Sequence, residues 1–141
     1  MGHARDTMNR LTETLFSRDM DALKELYAAD AVLETPDQGQ VRGRDAIVAY
    51  VGEFIAAFPD ASYETAYEHE SGDDAIDEGF FVGTHTGPLV GPDGESIAPT
   101  GKSVRMRACD VASIRDGLVT NHRFYFDQMD FLEQLGLLPD Q

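Results

Sequence analysis

At Pro59 the apolar pattern of this 141-residue chain changes period, and that change restricts the fold more than any other feature. Before it, apolar residues recur at helical spacing. Met8, Leu11, Leu15 and Phe16 mark a first helix. Asp19 reads as an N-cap, and Asp21 suits the positive end of the helix dipole. Met20, Leu23, Leu26 and Tyr27 form the stripe of a second, shorter helix. Ala31-Val32-Leu33-Glu34 is a short apolar run with strand character, and Thr35 to Arg42 reads as a polar connection. A third helix from about Asp45 turns Ile47, Tyr50, Val51, Phe54, Ile55 and Phe58 inward, and Pro59 stops it.

After Pro59 the chain alternates as strands do. Ser62 to Glu70 is one strand and Ala75 to Gly87 a longer one. Gly79 and Gly83 interrupt the second, and glycine inside a strand marks a bulge or a sharp bend, so a strongly curved sheet is expected. Pro88 to Gly101, rich in proline and glycine, predicts a long loop of the kind that often carries function. Ser103 to Ile114 and Leu118 to Phe126 are the last strands, joined at Asp116-Gly117, a pair suited to a type I′ hairpin turn. Phe131, Leu132, Leu135, Leu137 and Leu138 form a short apolar tail. Three helices followed by a four-strand meander predict one α+β domain over residues 1–141, its helices packed on one face of a bent antiparallel sheet.

Charge narrows the partners. Asp and Glu total 26 against 11 Lys and Arg, a formal charge of -15. Such a surface repels phosphate backbones and anionic lipid headgroups, so neither a nucleic acid nor a membrane is expected as partner. No apolar run reaches the ~18 residues of a spanning helix, and the N-terminus has no signal-peptide core. The lone Cys109 suits a reducing compartment. A cytoplasmic protein is the expectation.

Nucleotide, zinc and nucleophile-elbow motifs are absent. His3, His69, His85 and His122 are too far apart in sequence to predict a metal site, and the acidic run from Glu64 to Glu78 around His69 reads as a solvated edge hairpin. Two carboxylates stand out. Asp127 ends the aromatic strand Arg123-Phe124-Tyr125-Phe126. It is either the N-cap of the following Met129–Leu135 segment or a general base in an apolar cavity, where desolvation raises a carboxyl pKa. Asp110 shares a strand face with Met106, Ala108, Ala112 and Ile114; it either meets substrate there or pairs with Arg107 or Arg123. His85 is a pocket-mouth contact or a shaper of the Pro99–Gly101 turn, and Tyr50 is a cavity hydroxyl or core. If Tyr125 and Asp127 face the cavity, Phe124 and Phe126 face outward, and a homodimer through the outer sheet face would cover them.

An ordered set of short segments resembles one family. It comprises Asp19-Met20-Asp21-Ala22-Leu23, Tyr27 to Val32, Arg42 to Ile47, His85-Thr86-Gly87, Pro99 to Lys102, Asp116-Gly117, Tyr125-Phe126-Asp127 and Gln134-Leu135-Gly136. Together they resemble the SnoaL-like polyketide cyclases over nearly the whole chain. The resemblance implies an NTF2-like cone, similar to ketosteroid isomerase: three N-terminal helices on a strongly curved antiparallel sheet with a pocket inside. It implies a cofactor-free, metal-free acid/base enzyme that closes a ring by intramolecular aldol condensation of a small hydrophobic carbonyl compound. Asp127 falls in the acid/base role, with Asp110 as a second catalytic candidate; His85, Tyr50, Tyr125 and Arg107 are the substrate-binding candidates. Polyketide hydroxylases, isomerases or dehydratases, and non-catalytic binding modules share the fold.

Overall fold

The computed structural model describes residues 2–91 and 93–138. In chain order the elements are α1 (His3–Ser17), α2 (Met20–Lys24), β1 (Tyr27–Thr35), β2 (Gly39–Arg42), α3 (Arg44–Ala57), β3 (Ser62–Ser71), β4 (Asp74–Thr84), β5 (Leu89–Val90), β6 (Ser96–Ile97), β7 (Ser103–Arg115), β8 (Leu118–Phe126) and α4 (Gln128–Gln134). Six strands form one sheet in the order β2-β1-β8-β7-β4-β3, and β5 pairs with β6 in a separate hairpin inside the long loop. Pro92 of that loop lies outside the described residues.

Asp19 caps α2, its side chain accepting from the Ala22 N–H. Asp116 and Gly117 both have positive φ, as a type I′ turn requires. The meander is larger than the periodicity predicts. Tyr27 does not close a helical stripe; it opens β1, whose buried positions include Tyr27, Ala31, Leu33 and Thr35. β1 forms a hairpin with β2 and runs parallel to β8, so the sheet is mixed and not wholly antiparallel. A parallel partner some ninety positions away leaves no local mark, because no short turn joins the two strands.

The sheet curls where it was expected to. Gly79 lies beside a bulge in β3 between Thr65 and Tyr67. A Cβ at Gly79 would overlap the Glu64 carbonyl oxygen, and one at Gly83 would sit 3.1 Å from the Phe58 Cβ. Both glycines let another backbone approach a strand more closely than a side chain permits. Gly79→Ala is therefore expected to cost about 1–3 kcal/mol, by the usual penalty for overpacking. The urea midpoint would fall with an unchanged m-value.

One irregularity decides the site. In the β7–β8 ladder Ser113 faces Asn121 but Ile114 faces Val119, leaving Thr120 as an extra residue. The Thr120 hydroxyl donates to the Ser113 carbonyl at 3.2 Å. A single inserted residue moves every following side chain to the opposite face. Before the bulge Val119 points inward; beyond it His122, Phe124 and Phe126 do. The expected faces of this strand are thus reversed. Tyr125 is 53% exposed on the outer face, while Phe124 and Phe126 pack against the core. The two phenylalanines that suggested an outer dimer face do not lie on it.

The core fills the hollow between the concave sheet and α1 and α3. Phe54, Phe58, Phe81 and Phe131 stack with ring centroids 5.3–5.9 Å apart. Edge and tilted contacts of this kind favour one packed arrangement.

Candidate active site

A cavity of about 70 Å³ lies beside that cluster, between α1, α3 and the sheet. α1 lends it Met8, Leu11, Thr12, Leu15 and Phe16, which share one helical face. α3 lends Tyr50, Val51, Phe54 and Ile55. The sheet supplies Leu33, Thr35, Tyr63, Phe81, Phe124, Asp110 and His122. An engineered cavity of about 150 Å³ accommodates benzene, so this one admits little more than a few waters without movement of its walls. Tyr50 and Phe54 also border an outer groove of about 370 Å³ that Val41, Ala46 and Leu89 help to line.

Two ionisable cavity residues, Asp110 and His122, form a chain with the buried Tyr27 behind them. His122 Nε2 lies 2.7 Å from Asp110 Oδ1, and His122 Nδ1 lies 2.9 Å from the Tyr27 hydroxyl. The two meet because Ala112 pairs with His122 and Asp110 with Phe124, which makes Asp110 and His122 diagonal neighbours on one face. A carboxylate only accepts, so Nε2 carries the proton and donates to Asp110. Nδ1 then accepts from Tyr27. Burial, and secondarily the Asp110 charge, push the Tyr27 hydroxyl well above the ordinary tyrosine range, so it keeps its proton as donor. Both imidazole nitrogens are thereby committed. Asp110 Oδ2 is not: among the described residues it has no partner, and the side chain is 17% exposed, in the cavity wall.

A second polar pair backs the first. Asp77 stands opposite Asp110 in the β4–β7 ladder. Its carboxylate meets Arg5 Nη2 of α1 at 2.6 Å, with side chains 5% and 6% exposed respectively. Burial pushes the Asp77 carboxyl up, against the opposing pull of Arg5. Arg5 also meets Glu68 at 3.2 Å and donates to Asn9 at 3.0 Å.

The sequence candidates separate. Asp110 and Tyr50 reach the cavity, although the Tyr50 hydroxyl donates out of it, to Asp37 at 2.9 Å. Asp110 pairs with His122, not with Arg107 or Arg123. Asp127 does not reach the cavity. It is exposed and caps α4, its Oδ1 accepting from the Asp130 N–H at 3.1 Å. The Thr120 bulge and the turn into α4 carry it outside, away from the apolar surroundings of the cavity. Tyr125 and Arg107 lie on the outer face, where the Arg107 guanidinium approaches the Phe80 ring at 5.5 Å. His122 and Tyr27 are the site residues that periodicity missed.

His85 is fully buried and shapes the loop. Its Nδ1 accepts from the Thr100 N–H at 3.2 Å, while its backbone bonds Lys102 and Gly101. Burial holds its pKa below the ordinary 6.5. On acidification the unfolded chain takes up this proton first, so stability is lost as the pH falls below about 6.5. The urea midpoint of the wild type should drop more steeply between pH 7 and pH 5 than that of His85→Asn, which keeps the acceptor but cannot titrate.

No helix among the described residues is long and apolar enough to cross a membrane. The family model described as SnoaL-like polyketide cyclase matches residues 5–135. No curated protein matches the chain in sequence. Among solved structures, IdmH from Streptomyces antibioticus, described as a candidate polyketide cyclase, is 30% identical with a TM-score of 0.76, covering 94% of this chain and 98% of its own. A candidate SnoaL-like polyketide cyclase from Jannaschia sp. CCS1 reaches a TM-score of 0.85 at 18% identity, covering 97% and 94%. AclR from Streptomyces galilaeus, described as a candidate hydroxylase, gives 0.78 at 22% identity, covering 97% and 87%. The cone, its inner cavity and the match over 131 consecutive positions lead to one assignment: this chain belongs to the SnoaL-like polyketide cyclase family.

Proposed function

We propose that this protein is an acid/base catalyst of carbon–carbon bond formation or isomerisation through an enolate, with Asp110 as the base. The observation that carries this reading is the state of the Asp110 carboxylate: one oxygen is held by His122, the other has no partner among the described residues, and the side chain lines an apolar cavity. A base so fixed loses no orientation when substrate arrives, and its field is little screened.

The steps balance with one proton carrier. Asp110 Oδ2 removes a proton from the carbon next to a carbonyl. The C–H pair becomes a carbon–carbon double bond, and the carbonyl π pair moves to oxygen as an enolate. In a cyclisation the enolate carbon then attacks a second carbonyl carbon of the same molecule. The resulting alkoxide takes back the proton from Asp110. His122, backed by Tyr27, positions the carboxylate.

The cavity volume favours a small or slender reacting end. A longer carbonyl compound has the outer groove beside Tyr50 and Phe54 for its remainder. The test is exchange of the α-protons of cyclopentanone in D2O, followed by NMR. Catalysed exchange that disappears in Asp110→Asn supports the reading. Catalysed exchange of equal rate in both proteins excludes Asp110 as the base, and absence of catalysed exchange from the wild type leaves a binding cavity in place of an enzyme.

A further inference from the structure

An enolate needs a donor at its oxygen as well as a base at its carbon. The cavity supplies few. Tyr50 donates to Asp37, and Tyr63 donates to the Ala108 carbonyl at 2.9 Å. The Thr35 hydroxyl accepts from Gln38 N at 3.1 Å and directs its own hydrogen to the Tyr50 oxygen. His122 has both nitrogens engaged. That leaves Thr12.

Thr12 lies mid-helix in α1 and lines the cavity. A threonine there commonly turns its hydroxyl back to the carbonyl four residues earlier. Thr12 does not: among the described residues its hydroxyl makes no hydrogen bond, to Met8 or to any other group. Thr12 is half-buried in the cavity wall, and its unpaired hydroxyl is open to an acceptor that a bound molecule brings. α1 packs across β7, the strand that carries Asp110, so the donor and the base belong to facing walls of one cavity.

We propose that the Thr12 hydroxyl binds the carbonyl oxygen of the substrate and holds the charge that develops there when Asp110 removes the α-proton. This rests on Asp110 acting as the base, and it assigns a second substrate contact: a carbonyl oxygen toward α1, its α-carbon toward β7. A ligand without a carbonyl or an equivalent acceptor leaves Thr12 unsatisfied and binds less well.

Two readouts separate this proposal from the one beneath it. The first is the carbonyl stretch of cyclopentanone bound to Asp110→Asn, where no chemistry takes place. The stretch should fall relative to free ligand, and that fall should vanish in Asp110→Asn with Thr12→Val, which keeps the shape and removes the hydroxyl. Equal stretches in the two proteins, or no fall in either, overturn the role of Thr12 whatever the wild type catalyses. The second readout is exchange in the otherwise unaltered protein. Thr12→Val should lose about 10²–10³-fold in kcat, the usual cost of one oxyanion donor, with a smaller change in KM. Thr12→Ser should restore most of the rate, since it restores the donor. A Thr12→Val protein that exchanges at the full rate, or a Thr12→Ser protein as impaired as Thr12→Val, contradicts the assignment.

Discussion

Asp110→Asn is expected to lower catalysed α-proton exchange by about 10²–10⁴-fold, the range a positioned general base contributes. The substitution is nearly isosteric. The Asn oxygen still accepts from His122 Nε2, so the His122–Tyr27 arm stays in place and the cavity keeps its outline. What disappears is the negative charge and the capacity to take a proton. The loss should therefore fall on kcat, with ligand binding little changed. His122→Phe provides the contrast. It leaves the carboxylate and removes the group that fixes it, so the base becomes mobile and its first oxygen unpaired. A partial loss is expected, smaller than for Asp110→Asn, and it should be accompanied by loss of stability because Tyr27 is left buried without a partner. If Asp127→Asn abolished exchange and Asp110→Asn did not, the cavity assignment would be wrong.

The largest effect on stability is expected at the pair behind the site. Arg5→Met should cost about 3–5 kcal/mol at neutral pH, since removing one partner of a buried pair leaves the other charge uncompensated. For a chain of this length that corresponds to roughly 10–17 °C in thermal midpoint. The pH dependence identifies the cause. With Arg5 gone, burial and, secondarily, the charges of Asp110 and Glu68 act on Asp77 unopposed and raise its pKa in the folded state. A carboxyl whose folded pKa exceeds the unfolded value makes folding less favourable as pH rises through that interval. The deficit of Arg5→Met should thus shrink on acidification, as Asp77 takes up a proton and its charge disappears. The double variant Arg5→Met with Asp77→Leu should recover much of the loss at pH 7, because neither side chain is then left charged and alone. A deficit independent of pH would assign the effect to lost packing of the arginine stem, not to its charge.

Much of the fold was legible because its signals are local. The helical spacing of Met8, Leu11 and Leu15 and of Ile47, Val51 and Ile55 reports the two faces that cover the sheet. Asp116-Gly117 reports a hairpin because so few residue pairs adopt its backbone angles. Gly79 and Gly83 report curvature because a side chain at either would meet a neighbouring element. Asp110 was legible as well, as a carboxylate in an apolar row that burial would have to justify. Its partner was not. A register counted outward from the turn with no insertion sets Asp110 opposite Arg123 and turns Tyr125 and Asp127 inward. One unpaired residue, Thr120, shifts that count and brings in His122 and Phe124 instead. A threonine in a strand is ordinary, and nothing around it announces a bulge.

From the order of its residues alone this chain specified its periods, its turns, its glycine bends and one carboxylate on an apolar face. These depend on interactions between near neighbours, which composition and spacing encode. The approach of Asp110 to His122, of Arg5 to Asp77 and of β1 to β8 belongs to the folded molecule only. Each joins segments brought together by strand register and by the seat of α1 on the sheet. Register depends on a count of residues that one bulge can alter, so the faces of β8, and with them the residues that line the cavity, were decided in three dimensions.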